Sequence, residues 1–161
     1  MEVLIVYYGK GSTTAQFAEA IAYQLSKRVE DIKVKSIENV KPQDIINCDM
    51  LYLGCWTNGM FFGQKPGKPW VDFVSKLPAI EGKKTVLFTT YRFWAGNMFH
   101  KMRELIVSKG YKVIGSMKSS NGRFDYFSNG VLRYSLYQLV TSQVSDPLSY
   151  SKSEVGVLEM A

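Results

Sequence analysis

Val3-Leu4-Ile5-Val6-Tyr7 runs directly into Tyr8-Gly9-Lys10-Gly11-Ser12-Thr13-Thr14, and from Ala15 the apolar residues Ala18, Ile21, Ala22 and Leu25 recur at intervals of three and four. An unbroken apolar run bounded by a Gly/Ser/Thr turn reads as a strand covered on both faces. The spacing that follows it reads as one face of a helix. A buried strand, a tight turn and an amphipathic helix open a βαβ unit, and the rest of the chain repeats that alternation.

Ile32 to Ile37 alternates and reads as a second, shorter strand, and Pro42 opens a short helix, where its missing N–H costs nothing. Met50 to Cys55 is a third strand, followed by a long irregular stretch, Trp56 to Lys68, rich in Gly and aromatics. Trp70, Phe73, Val74 and Leu77 mark a helix over 70–77, and Thr85 to Thr89 a fourth strand. Tyr91 to Gly96 is an aromatic loop. Asn97 then caps a helix with Met98, Phe99, Met102, Leu105 and Ile106 inside, and Gly110 ends it. Tyr111 to Met117 is a fifth strand, Ser119 to Asn129 a polar loop, and Val131 to Val140 the last helix. This order predicts an α/β fold, a doubly wound three-layer sandwich with a five-stranded parallel sheet in the order 2-1-3-4-5. It assigns one domain to residues 1–141 and a polar C-terminal tail to 142–161.

The bulk properties agree. A chain of 161 residues with 46% apolar and 21% charged residues suits one globular domain. No apolar run is long enough to span a bilayer, so no membrane association is expected. The start MEVLIVYY lacks the features of a signal peptide. Two cysteines, Cys48 and Cys55, make neither a disulfide framework nor a metal set, which points to the cytoplasm. The net charge is +6, but the basic residues are scattered and no nucleic-acid recognition motif accompanies them. His100, the one histidine, has no nearby Ser/Asp or Cys partner, and no residue pattern suggests hydrolysis or metal chemistry.

In a doubly wound sheet, ligands sit beyond the carboxyl ends of the strands. Gly9, Lys10, Gly11, Ser12, Thr13 and Thr14 form the first loop there. Glycine allows close approach, the helix start offers unpaired N–H groups, and three hydroxyls add donors, which together suit a phosphate. Neither the dinucleotide fingerprint nor the P-loop ending is present. The second loop holds Trp56, Thr57, Asn58 and Gly59, and the third Thr90, Tyr91, Arg92, Phe93, Trp94 and Gly96. The third carries three aromatics in four residues, more than a surface loop needs.

The stretch Tyr8-Gly9-Lys10-Gly11-Ser12-Thr13-Thr14-Ala15-Gln16-Phe17-Ala18-Glu19-Ala20-Ile21 resembles the phosphate loop of flavodoxins, Ser/Thr-x-Thr-Gly-x-Thr before a helix. Thr14 falls on the last Thr of that pattern. Gly9 and Gly11 stand where the family has hydroxyls, and Ser12 where it has glycine. The second loop resembles the flavodoxin segment that packs on the isoalloxazine ring, with Trp56 or Phe61 as platform and Asn58-Gly59 as a turn. The third resembles the segment that supplies a second aromatic and backbone N–H groups to the ring's edge.

The resemblance implies an FMN-binding electron-transfer protein with those loop residues as cofactor ligands, no catalytic residue of its own, and redox proteins as partners. The sheet edge carries Lys10, Lys65, Lys68, Arg92, Lys118 and Arg123 against Asp125 alone. A basic rim implies partners with an acidic docking face. Two other functions fit the same loops: an FMN-dependent NAD(P)H reductase of a quinone or other small acceptor, and a binding module that has kept the fold and lost the flavin.

Overall fold

The computed structural model describes residues 1–9, 12–58, 65–92 and 95–143. Its parallel strands are β1 (Glu2–Tyr8), β2 (Asp31–Ser36), β3 (Met50–Asn58), β5 (Lys84–Thr90) and β6 (Lys112–Ser119). They lie side by side as β2-β1-β3-β5-β6, the doubly wound order expected from the sequence. A sixth strand, β4 (Lys65–Pro66), pairs antiparallel with the end of β3, Thr57 facing Pro66 and Asn58 facing Lys65. The helices are α1 (Ser12–Leu25), α2 (Pro42–Asn47), α3 (Lys68–Ser75), α4 (Met98–Val107) and α5 (Tyr126–Gln143), with a 3-10 turn over Ile37–Asn39.

Strand alternation sorts the core into two layers. Leu4, Val6, Leu51, Leu53, Cys55 and Leu87 point to one face and pack against Ile45 of α2, Trp70 and Val74 of α3, and Met98, Met102 and Ile106 of α4. Val3, Ile5, Met50, Tyr52, Val86 and Phe88 point to the other and pack against α1 (Phe17, Ile21, Leu25) and α5 (Leu132, Leu136, Leu139). Both faces being covered explains why these strands read as continuous apolar runs. Gly54 interrupts β3 because Phe88 fills its place. A Cβ there would lie 2.1 Å from the Phe88 ring, which itself meets Phe17 edge-on at 5.9 Å.

Three local expectations need correction. The stretch from Trp56 to Lys68 is not wholly irregular, because β3 continues to Asn58 and closes against β4. The polar loop after β6 is shorter than read, since α5 starts at Tyr126. Asp125 caps it, its Oδ1 accepting the Ser128 N–H at 2.8 Å. Asn97 stands at the N-cap of α4 but its side chain makes no capping bond. Its ψ of 16° departs from the extended backbone that aims a cap side chain at the helix. The tail assigned to 142–161 lies outside the described residues from 144 onward, and α5 itself runs through Gln143.

One buried polar pair ties β3 to α5. The Ser135 hydroxyl donates to the Leu132 carbonyl at 2.7 Å, so its oxygen accepts from the Tyr52 hydroxyl. Burial pushes the Tyr52 phenol up, keeping it a neutral donor. The two partners are therefore unequal. Ser135→Ala strands the Tyr52 O–H without an acceptor and should cost about 1–3 kcal/mol, whereas Tyr52→Phe leaves the serine bonded and should cost about 0.5–1.5 kcal/mol. Urea unfolding of both variants measures the difference, and the order Ser135→Ala below Tyr52→Phe in stability is the expected result.

Candidate functional site

The carboxyl ends of β1, β3, β5 and β6 share one edge, and the described parts of all three predicted loops meet there. Gly9 follows β1 and sits against Thr14 in the first turn of α1; a Cβ on it would lie 2.6 Å from Thr14 Oγ1. The turn is this tight because the chain reverses from strand to helix within a few residues, and only glycine fits at its inner side. α1 starts at Ser12, so its first unpaired N–H groups face this edge.

Thr14 Oγ1 lies 2.6 Å from Thr90 Oγ1, and both residues are almost fully buried. This bond joins the first loop to the third. Thr90 is the last residue of β5 and stands beside Trp56 of β3 and Ser119 of β6 in the sheet register. Two hydroxyls carry two protons, and the link uses one. The other has no acceptor among the described residues.

A second hydroxyl chain lies one step away. Thr89 Oγ1 donates to the Cys55 carbonyl at 2.7 Å, so the 3.1 Å contact with Thr57 places the donated proton on Thr57. Both threonines are thus consumed in fastening β3 to β5, and Thr57 offers the edge only lone pairs. Trp56 is half-buried against the core, and its Nε1 is buried without a hydrogen-bond partner among the described residues. Tyr91 is held by its backbone N–H to the Ser119 carbonyl at 3.2 Å. Arg92 is exposed, and Gly96 takes a positive φ of 48° in the turn before α4. Asn58 ends β3 at the same edge. Ser12 and Thr13 open α1. Lys10, Gly11, Gly59, Phe61, Phe93 and Trp94 lie outside the described residues.

The loop after β6, read from the sequence only as a polar loop, also reaches this edge. Ser119 Oγ donates to the Arg123 carbonyl at 2.9 Å, and the Arg123 N–H donates to Asn121 Oδ1 at 3.0 Å. Gly122, with φ of 76°, abuts the first turn of α1, 2.9 Å from the Thr13 carbonyl when a Cβ is added. The Ser-x-Asn-Gly order, an Asx turn followed by a positive-φ glycine, was the available signal. Lys65, Lys68, Arg92, Lys118 and Arg123 are all exposed around this edge. Asp125, the acid among them, is engaged as the α5 cap.

His100 is exposed and its Nε2 lies 3.2 Å from Glu104 one helical turn on, a surface pair. Cys55, at the end of β3, is a buried filler whose thiol burial pushes up to about 12. No group of residues able to hold a metal occurs among the described residues.

A doubly wound parallel sheet in this order, with its loops gathered at the β1/β3 end, is the flavodoxin architecture. No family model matches the chain. It is similar in sequence to a flavodoxin from Clostridium beijerinckii, 27% identical over 111 residues, which span 68% of this chain and 79% of that one. In structure it resembles the two-electron reduced flavodoxin of Megasphaera elsdenii with a TM-score of 0.72 and 23% identity, over 81% of this chain and 94% of that one. A flavodoxin from the domain Archaea superposes with a TM-score of 0.66 and 21% identity, over 89% and 99% of the two chains. The chain is flavodoxin-like in fold and in sequence.

The thiols give a test of the packing of the core layer they share. Burial raises Cys48 from an ordinary value of 9.0 to about 11 and Cys55 from 9.0 to about 12. Both groups ionise more easily in the unfolded chain, so their contribution to stability is complete below pH 9 and is lost as pH rises through 11–12. An alkylating thiol reagent near neutral pH should leave both cysteines of the native protein intact and label both in urea. The urea midpoint should fall steadily above about pH 9.

Proposed function

We propose that this protein holds one FMN at the β1/β3 edge and carries electrons between redox proteins. The observation that carries this reading is the buried Thr14–Thr90 pair at the start of α1, one of whose two O–H groups has no acceptor among the described residues. An ionised phosphate is the acceptor such a donor suits, beside unpaired helix N–H groups and the positive end of the α1 dipole. The residues fit the group in two further respects. Gly9 keeps the turn free of a side chain, and the Trp56 indole brings apolar surface with an N–H that has no partner among the described residues. Bound FMN supplies one- and two-electron redox chemistry; the protein's own share is to bind, orient and shield it.

In this reading Gly9 to Thr14 and Thr90 hold the phosphate. Trp56, Thr57, Asn58 and Gly59 of the second loop and Tyr91, Arg92, Phe93, Trp94 and Gly96 of the third would hold the ring. The hydroxyls missing at Gly9 and Gly11 weaken the cradle relative to the flavodoxin pattern, and Ser12 and Thr13 restore part of the donor set. The two unpaired, buried thiols suit a reducing cytoplasm. No helix among the described residues is long and apolar enough to cross a membrane.

Titration of the apoprotein with FMN, followed by visible absorbance and calorimetry, tests the cofactor. FMN should bind in a one-to-one complex and FAD more weakly; no FMN binding, or a preference for FAD, rejects the reading. Thr14→Ala should weaken FMN by roughly tenfold to a hundredfold, the worth of one hydrogen bond to a charged acceptor, and leave riboflavin unchanged because riboflavin has no phosphate. Equal weakening of both would move the phosphate elsewhere.

The exposed Lys65, Lys68, Arg92, Lys118 and Arg123 set the partner's sign. Protein partners with an acidic docking face should associate faster than basic ones. Stopped-flow transfer with one partner of each kind should show that difference at low salt and lose it as salt screens the pair. A faster basic partner would refute the assignment.

A further inference from the structure

Five aromatic side chains are prominently exposed among the described residues, and four of them sit on α5: Tyr126 at 85%, Phe127 at 84%, Tyr134 at 49% and Tyr137 at 53%. Tyr126, Tyr134 and Tyr137 stand at i, i+8 and i+11, so they share one face, and Phe127 meets Tyr126 edge-on at 6.2 Å. This is the face turned away from the core, since Leu132, Leu136 and Leu139 face the sheet. The one charged residue of α5 is Arg133, on the same outer face.

The ridge leads into a groove. Between the end of α1 and α5 lies a depression of about 630 Å³ with a floor that includes Val29, Leu132 and Leu136. Lys27, Arg28 and Arg133 stand on its lining, and among the described residues no Asp or Glu does. At its other end the ridge meets Arg123 and the Asp125 cap, at the sheet edge that carries the proposed cofactor site.

We infer that the outer face of α5, with this groove, docks an acidic protein surface that presents an apolar side chain between carboxylates. Exposed Tyr and Phe beside Arg are the composition of interface anchors, and an apolar floor rimmed by cations selects carboxylates around a hydrophobic plug. A second copy of this chain fits badly, because a two-fold pairing would set Arg133 and its neighbours against their own like charges. An anionic bilayer fits badly as well. An interfacial helix keeps its basic residues on the face opposite the embedded one, whereas here they share the face, and a bilayer does not fill a recess. This inference rests on the electron-carrier reading for the partner's identity as a redox protein, but docking and transfer are read separately.

The probe is a purified acidic iron–sulfur protein, fluorescently labelled. Anisotropy with the FMN-loaded protein reads docking, and stopped-flow reads transfer. The ridge variant Tyr126→Ser/Phe127→Ser and the groove variant Arg133→Glu alter exposed side chains, so circular dichroism and FMN affinity should match the parent. Each should weaken docking of the acidic probe by at least about tenfold, the size of an anchor loss, and slow transfer in proportion. Lys68→Glu, on the opposite side of the edge, should change docking less. Parent-like docking by both α5 variants overturns the inference, and if Lys68→Glu alone weakens docking the partner sits on the rim instead. Docking that depends on α5 without any electron transfer supports the interface and refutes the carrier reading. Sedimentation as a dimer that the ridge variant dissolves, or co-sedimentation with vesicles of anionic lipid, also overturns it.

Discussion

Everything in this molecule depends on β1 and β3 being neighbours whose onward connections leave by opposite faces of the sheet. α1 follows β1 onto the face shared with α5, and α3 follows β3 onto the face shared with α2 and α4. Right-handed crossovers make this unavoidable when the strand order reverses between them. The two chains part above the sheet and open a crevice no other pair of strands can offer. Hydrogen-bonded register from Val3 with Met50 to Tyr8 with Cys55 fixes the two sides of that crevice against each other.

Side-chain hydroxyls then hold the crevice's shape. Thr57 and Thr89 fasten β3 to β5 beneath it, and Thr14 and Thr90 fasten α1 to β5 across it. Parallel ladders end raggedly, and at their ends the backbone alone does not prevent fraying. Buried threonines do so at low cost, because each hydroxyl both gives and takes a hydrogen bond and its methyl group still packs. The site's polar groups therefore do structural work before any ligand arrives, and one proton of the Thr14–Thr90 pair has no acceptor among the described residues.

The fold was legible because its information is periodic. Apolar runs at Val3 to Tyr7, Met50 to Cys55 and Thr85 to Thr89 gave the central strands, and the spacing around Ala18 to Leu25 gave α1. The misreadings fall where periodicity fails. A two-residue strand such as β4 has no period, and it forms only because Pro66 and Lys65 return beside β3. The start of α5 was hidden by its own chemistry: Tyr126 and Phe127 are apolar residues on the outside, so the hydrophobic pattern pointed away from the true inner face. The positions of Thr14 and Thr90 at one edge followed from the element order, but their bond did not. Seventy-six positions separate them, and only the closed sheet brings them together.

The contact of Gly54 with Phe88 has a consequence for how this chain can change over time. The Phe88 ring occupies the space that any side chain at position 54 would need, on adjacent strands of the same sheet. Neither position is free to drift alone: enlarging the first without shrinking the second forces atoms into one another, and shrinking the second alone leaves a void against Phe17. The two residues amount to a single inherited volume divided between two codons. Descendants of this sequence should exchange that volume in compensated steps, and the glycine, which reads as a weak point in a strand, is fixed by its neighbour's bulk.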